Sequence, residues 1–226
     1  MGIKERQERD REAVRRAILD AARDLFVAEG YENVSIRKIA ERIEYSPAAI
    51  YGYFPSKDDI FFALAEEGFE LLSAPRGMGQ NEKLQPLDRI RAIFWRFYEF
   101  SREHPQYFWL MFVDKSVPRI CREYERSPIV RELRRDLVAQ IQRAIDTKIL
   151  PSTVDASIAF HLLATAVMGV AVMRLSHRGP TEIADQLARD VVNVVLAGLQ
   201  SGVPLESPSP LLPTERAVPR AQVSQL

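Results

Sequence analysis

The sequence predicts an all-α protein, and two observations support that prediction. Apolar residues recur at the three- and four-residue spacing of amphipathic helices through most of the 226 residues, and no run alternates long enough to indicate a strand. Proline, glycine and capping residues interrupt this pattern at intervals typical of helix ends. The composition, 46% hydrophobic and 27% charged, is that of a globular chain long enough for one or two domains.

Three helices are predicted within the first sixty residues. An apolar stripe predicts a helix over about 8–29, which Gly30 ends. Ser35 is a capping residue for a second helix with an apolar inner face. Ser46 followed by Pro47 marks the start of a third, short helix. Since only about three residues, "EYS", join the second and third helices, the pattern indicates a helix-turn-helix.

The remaining helices are separated by breaks rich in proline and glycine. Ser56 and Asp59 resemble a capping box at the start of a fourth helix, about 56–73. The segment "APRGMGQNEK" (74–83) lacks periodicity and predicts a boundary. Further helices are predicted at about 86–103, 105–116, 128–149, 153–177 and 181–201. Five prolines among the last 24 residues predict a disordered tail.

The overall charge does not indicate a nucleic-acid-binding protein. Lys plus Arg and Asp plus Glu number 31 each, and residues 1–60 contain 11 basic and 12 acidic side chains. Any contact with DNA must therefore depend on where the charges lie. One suitable arrangement is predicted, because four cations flank the small and nearly uncharged outer side of the third helix. They are Arg37, Lys38, Arg42 and Lys57.

The sequence offers little support for an enzyme, a cofactor site or a secreted protein. Its three histidines lack the spacing of metal ligands, and no glycine-rich phosphate loop is present. One cysteine, Cys121, excludes an internal disulfide, and the charged start "MGIKERQERDRE" lacks the apolar core of a secretory signal, so we expect a cytoplasmic protein. The apolar segment 156–173 contains His161 and is predicted to be a buried helix, with no membrane partner.

The segment "SIRKIAERIEYSPAAIYGYFPSKDDIF" resembles the DNA-binding domain of the TetR family of transcriptional regulators. That family commonly shows a tyrosine, any residue, a tyrosine or histidine, a phenylalanine and, three residues on, a lysine. Here these are Tyr51, Gly52, Tyr53, Phe54 and Lys57. The resemblance covers about residues 10–60.

The resemblance implies three parts of the chain. Residues 1–55 would form a helix-turn-helix DNA-binding domain with an N-terminal arm at 1–10. Residues 56–202 would form a larger helical domain for ligand binding and dimerisation. The proline-rich tail would occupy residues 203–226.

The resemblance also assigns nine residues to DNA contact: Ser35, Arg37, Pro47, Ala48, Ala49, Tyr51, Gly52, Tyr53 and Lys57. The serine and arginine would contact phosphate at the start of the second helix. The proline, alanines and glycine would face the bases, and the tyrosines and lysine would hold phosphates. For three of these residues, a local role is the alternative to DNA contact. Ser35 caps its helix, Tyr53 suits packing within the domain, and Lys57 suits a solvated surface.

Two positions depart from the family's pattern. Glu44 occupies the turn position usually held by glycine, so it must adopt the left-handed conformation or change the turn. Gly52 stands where a base-reading side chain is common. Base recognition is therefore expected to depend on thymine-methyl contacts from Ala48 and Ala49 and on DNA shape.

Aromatic side chains are more abundant in the second domain than one core face requires. An ordinary hydrophobic core would account for most of these side chains. The resemblance, however, implies a cavity for a small hydrophobic or aromatic ligand. The residues assigned to that cavity are Trp95, Tyr98, Phe108, Met111, Phe112, His161, Thr165 and Met168. His161 also suits a structural or dimer-interface role.

The expected function is that of a ligand-responsive regulator, a repressor by family resemblance. A homodimer formed by the last two helices would set two recognition helices about one DNA turn apart on a palindromic operator. Ligand would shift helix 56–73 and release the DNA. The alternative is a small-molecule binding protein whose helix-turn-helix no longer reads DNA, which Glu44, Gly52 and the non-basic first domain favour.

Overall fold

The computed structural model describes residues 2–74, 84–114, 128–177 and 181–202, and these ranges are helical without any strand. Nine α-helices are present in them: α1 (Ile3–Glu29), α2 (Ile36–Arg42), α3 (Pro47–Tyr51), α4 (Lys57–Ser73), α5 (Pro86–Glu103), α6 (Pro105–Phe108), α7 (Pro128–Asp146), α8 (Ala156–Leu175) and α9 (Ala184–Gln200). The all-α prediction is confirmed. The predicted tail, Cys121 and residues 75–83 of the predicted boundary lie outside the described residues.

Several helix ends differ from the predicted ones for local reasons. The predicted helix 105–116 is instead α6 followed by a π-helical turn, Trp109–Val113. Helix α7 ends at Asp146 because Lys148 has a positive φ of 60°. Helix α8 begins at Ala156, where the Asp155 carboxylate accepts a hydrogen bond from the Ile158 amide. A 3-10 turn, Thr181–Ile183, replaces the predicted first turn of the last helix.

The caps predicted around the helix-turn-helix are confirmed. The Ser35 hydroxyl accepts a hydrogen bond from the Lys38 amide, and the Ser46 hydroxyl accepts one from the Ala49 amide, each at 3.2 Å. Glu44 has a φ of 59°, so the turn keeps its left-handed geometry without glycine. The short helices α2 and α3 are therefore held in a fixed register by their ends.

Buried side chains attach this unit to α1 and α4. Phe26 of α1 and Phe61 of α4 meet Tyr31 of the 3-10 turn Tyr31–Asn33, with ring centroids 5.3 to 5.9 Å apart. Ile39 and Ile50 are fully buried on the inner sides of α2 and α3. Burying a large apolar side chain contributes about 1.5–3 kcal/mol, so these contacts fix the orientation of α3.

Ion pairs join α1 to the second domain. Arg16 of α1 donates to Asp20 at 2.7 Å and to Glu67 of α4 at 2.6 Å. Arg23 donates to Asp20 at 2.9 Å and to the Tyr107 hydroxyl of α6 at 3.3 Å. Burial alone would raise the pKa of Asp20, but the hydrogen bond from Arg16 and the charges of both arginines lower it below its usual value. We call these five residues the junction cluster.

Helices α5, α7, α8 and α9 pack together into the second domain. The rings of Phe94 on α5 and Phe160 on α8 lie 6.2 Å apart, and Leu163 and Val167 of α8 are fully buried. Helix α8 is long and apolar enough to cross a membrane, with a mean hydropathy of 2.0, a property that core helices share. One side of α8 contributes to the hydrophobic core and the other stays exposed.

Replacing Glu44 by glycine is expected to raise the free energy of unfolding by about 1 kcal/mol. The left-handed conformation costs a residue with a β-carbon about 1–2 kcal/mol, which exceeds the entropy lost by glycine, about 0.5–1 kcal/mol. Urea unfolding measures the change. Glu44→Ala is the matched control because it removes the same carboxylate and keeps the β-carbon. Equal stabilisation by both variants would assign the effect to charge and contradict the strain.

Asp20→Asn is expected to destabilise the protein at pH 7 by about 1 kcal/mol or less, since the carboxylate is 44% exposed and solvent screens it. The folded-state pKa of Asp20 is lowered, so its stabilisation is present above the unfolded value, about 3.9, and is lost as the pH falls through the folded value. The difference between wild type and variant should vanish in acid. Asp24→Asn is the control, because Asp24 has only longer contacts, at 3.3 and 3.4 Å. A stability difference between wild type and Asp20→Asn that did not depend on pH would contradict the stabilising role of the Asp20 carboxylate.

Candidate nucleic-acid interface

Helix α3 presents a small, uncharged surface to solvent. Pro47 and Ala48 are exposed on its first turn, Ala49 is partly exposed, and Gly52 is exposed just after its end. Tyr51 projects from the same helix with 56% of its surface exposed. A ring this exposed adds nothing to the core, whereas it suits contact with a bulky partner.

Two of the cations beside this surface already have carboxylate partners. Arg37 is 80% exposed and pairs with Glu41 one turn along α2, at 2.9 Å. Lys38 pairs with Glu29 at the end of α1. Exposed pairs of this kind are worth well under about 1 kcal/mol, so a phosphate can compete for either cation. Ser35 is exposed at the start of α2, where it serves as the cap.

Lys57 and Tyr53 have contacts within the protein as well. The Lys57 ammonium donates to the Tyr31 carbonyl at 2.7 Å and lies 3.9 Å from the centre of the Tyr31 ring. An ammonium has three donors, so this contact leaves others for a phosphate. Tyr53 is half-buried, and its ring lies under the guanidinium of Arg11 at 5.9 Å.

Arg11 and Arg15 of α1 reach this region and were not among the predicted site residues. The Arg15 guanidinium lies 5.3 Å from the centre of the Phe54 ring, beside the Arg11–Tyr53 contact. Their spacing of four residues places both on one side of α1, which is the signal that sequence reasoning could have used. Residues 3–10 of the predicted arm form the first turns of the continuous helix α1, which begins at Ile3.

Three acidic side chains of this domain have hydrogen-bond partners outside α3. Asp20 belongs to the junction cluster, and the Asp58 carboxylate accepts from the Tyr31 hydroxyl. Asp59 accepts from the Ser56 hydroxyl at 2.6 Å. Counting charges over residues 1–60 therefore does not describe the surface around α3. Glu44 is exposed in the turn before α3 and is an acidic group close to that surface.

The eight residues predicted to contact a ligand do not share one environment. Tyr98 and Phe108 are fully buried, and Met111 is 8% exposed. The Tyr98 hydroxyl donates to Asp185 at 2.9 Å, and burial together with this bond raises its pKa to about 12. Phe112 packs against the Phe108 ring at 5.1 Å. These four belong to the aromatic interior of the second domain.

Other predicted ligand residues lie nearer the surface. Trp95 lines an open groove of about 280 Å³ between α5 and α9, with the Arg189 guanidinium 4.2 Å from its ring centre. Met168 is half-buried, whereas His161 and Thr165 are exposed on the outer side of α8. The His161 Nδ1 lies 2.7 Å from the Ser157 carbonyl oxygen, within its own helix. The structure thus separates the two polar residues from the buried aromatic ones.

Sequence similarity to known proteins covers part of the chain. Residues 18–64 match the sequence model of "Bacterial regulatory proteins, tetR family". The chain is 44% identical over 62 residues to the HTH-type transcriptional repressor Rv1474c of Mycobacterium tuberculosis, covering 27% of this chain and 33% of that protein. It is 32% identical over 94 residues to the HTH-type transcriptional regulator RutR of Escherichia coli strain K12, covering 42% and 44%. The chain therefore spans less than half the length of these curated relatives.

Structural similarity extends over most of the fold. The crystal structure of PfmR, a TetR family transcriptional regulator from Thermus thermophilus, matches with a TM-score of 0.62 at 24% identity. The match covers 80% of this chain and 98% of that one. At this identity the structural similarity shows a shared fold, while the sequence match to the family covers residues 18–64. The segment 18–64 is thus similar in sequence to the tetR family of bacterial regulatory proteins, and most of the chain shares the fold of a TetR family regulator.

Proposed function

We propose that this protein is a dimeric transcriptional repressor that binds a palindromic DNA operator and is released by a small hydrophobic ligand. The observation that carries the proposal is the outer surface of α3, where an exposed tyrosine adjoins small side chains on a rigidly capped helix. Small residues let a helix approach base edges in the major groove. The M. tuberculosis relative is a transcriptional repressor, which supports this direction of regulation.

The nine predicted residues would share the contacts. Ser35 and Arg37 would meet phosphate at the start of α2, with Arg37 exchanging its partner Glu41 for the DNA. Tyr51, Tyr53 and Lys57 would hold phosphates beside the groove. The bases would then face the small residues that open and follow α3: Pro47, Ala48, Ala49 and Gly52.

A second copy of the chain is the proposed partner of the exposed side of α8 and α9. Leu162 on α8, Ile183 just before α9 and Val194 on α9 are 40%, 53% and 71% exposed. Thr165 and Gly169 lie on the same side of α8 as Leu162, at helical spacing. Apolar side chains on two adjacent helices favour burial against a matching surface, and a two-fold dimer supplies one.

Regulation would pass through α4, which contacts both domains. Glu67 of α4 holds Arg16 of the DNA-binding domain at 2.6 Å. One turn of the same helix rests against the aromatic interior, since a β-carbon added at Gly68 would lie 2.3 Å from the Met111 sulfur. A ligand that displaces Met111 or Phe108 would therefore displace α4 and the attached α1. Such a ligand releases the DNA only if it binds the DNA-free arrangement of the protein more tightly than the DNA-bound arrangement.

The alternative function is small-molecule binding without DNA recognition. The observation in its favour is the exposed Glu44 beside α3, together with the internal partners of Lys38 and Lys57. These features weaken attraction for phosphates, although each cation can exchange its partner.

Selection from a random duplex pool tests the proposed function. The purified full-length protein is incubated with the pool, and the retained duplexes are sequenced. An enriched palindrome with half-sites about one helical turn apart is the expected result. A folded, unliganded dimer that enriches no sequence would overturn the proposal in favour of the alternative.

Tyr51→Ala is expected to weaken binding to the selected duplex at least about tenfold, because an exposed contact at the centre of the interface is lost. Tyr51→Phe removes only the hydroxyl and should weaken binding less, by about three- to tenfold for one hydrogen bond. Fluorescence anisotropy measures both affinities, and sedimentation verifies that the dimer persists. Unchanged affinity of the alanine variant would place Tyr51 outside the interface.

Val194→Asp is expected to shift the monomer–dimer equilibrium by at least about a hundredfold, since burying an unpaired carboxylate costs several kcal/mol. Sedimentation equilibrium measures the shift. Leu84→Asp is the matched control, because Leu84 is a 38% exposed apolar side chain that precedes α5 and belongs to neither α8 nor α9. If Val194→Asp remained as dimeric as the control, the dimer would use another surface.

A further inference from the structure

Helix α1 carries a line of cations beyond the helix-turn-helix. Lys4, Arg11 and Arg15 follow one another at intervals of seven and four residues. At 100° per residue these positions lie within about 40° of one another around the helix, so their side chains share one side. We call these three residues the α1 stripe.

Contacts with the helix-turn-helix orient the α1 stripe. Arg11 lies over the Tyr53 ring and Arg15 over the Phe54 ring, at 5.9 and 5.3 Å. The stripe therefore faces the segment that follows α3, where Tyr53 is proposed to hold a phosphate. Lys4 continues the same line about 10 Å further along the helix axis, at 1.5 Å per residue.

The first turns of α1 are free to meet a partner. Residues 4–13 are all exposed, so within the described part of the chain they are not needed for packing. Glutamates flank the stripe, but Glu5 accepts from the Gly2 amide at 2.9 Å and Glu12 pairs with Arg15 at 3.6 Å. Glu8 lies between Lys4 and Arg11 along the helix and on the same side, one turn from each, so its carboxylate offsets part of the charge of the stripe.

We propose that Lys4 and Arg11 form a second phosphate-binding site, which follows the DNA backbone outward from the recognition helix. The inference rests on the proposed DNA binding and extends its footprint. The partner is the phosphodiester backbone, because two cations about 10 Å apart on a straight helix match a line of charges and make no base-reading pattern. The site adds affinity without adding sequence preference.

The salt dependence of binding tests this site. Affinities of the full-length dimer for the selected duplex, extended by about ten flanking base pairs on each side, are measured between about 50 and 200 mM salt. The test variant is Lys4→Gln/Arg11→Gln. Each phosphate contact contributes about 0.9 to the slope of log K against log salt, so losing four contacts per dimer should reduce the slope by up to about 3.6.

Arg6→Gln/Arg9→Gln is the matched control. It removes the same charge from the same exposed turns, but these residues point to the opposite side of α1. The slope of log K against log salt for this control should differ from the wild-type slope by less than about 1. Lys4→Arg/Arg11→Lys keeps both charges while altering the Tyr53 contact, so it should retain the wild-type slope.

The outcomes separate this inference from the proposed function. On a duplex trimmed to the half-sites, the wild type should no longer bind more tightly than Lys4→Gln/Arg11→Gln. Equal slopes for that variant and the matched control would overturn the second site while leaving DNA binding intact. A wild-type protein that binds no duplex would overturn the proposed function and this site with it.

Discussion

The packing of α1 against α4 is the contact on which the rest of the structure depends. One side of α1 buries Ile18 and Phe26 completely, and this holds the helix-turn-helix in place. Another side carries Arg16, which reaches Glu67 across the domain boundary. Since both domains attach to the same rigid helix, α3 cannot turn independently of α4. We therefore propose that any change in the second domain that moves α4 also moves α3.

Three acidic side chains of the N-terminal domain have hydrogen-bond partners within the protein, which makes the neutral total charge of this domain compatible with a proposed DNA surface. The junction cluster and the helix caps engage Asp20, Asp58 and Asp59 through hydrogen bonds. The electrostatic potential near a protein surface depends on the positions of the charges more than on their sum. The cations of α2 and α1 consequently act on the side where α3 is exposed, while Glu44 opposes them.

The second domain shows which features of a candidate binding site can be predicted from the amino-acid pattern. Aromatic abundance correctly indicated a crowded interior, and Tyr98 and Phe108 are fully buried in it. Helical spacing could not decide which side of α8 faces that interior, because nearly all its residues are apolar. His161 and Thr165, proposed as polar contacts for a ligand, accordingly lie on the exposed side. Periodicity assigns a buried side only where polar residues mark the opposite one.

The sequence by itself determined the helical class, the helix-turn-helix and its caps, since each depends on contacts within a few residues. The caps at Ser35 and Ser46 follow from local backbone chemistry, whereas the sequence left two alternatives for Glu44, of which the structure shows the left-handed one. The tertiary structure alone decided the pairing of Arg16 with Glu67 and the contact of Arg11 with Tyr53, which join residues far apart in the chain. Such pairs depend on how whole helices pack, and no short-range pattern specifies the angle between two helices.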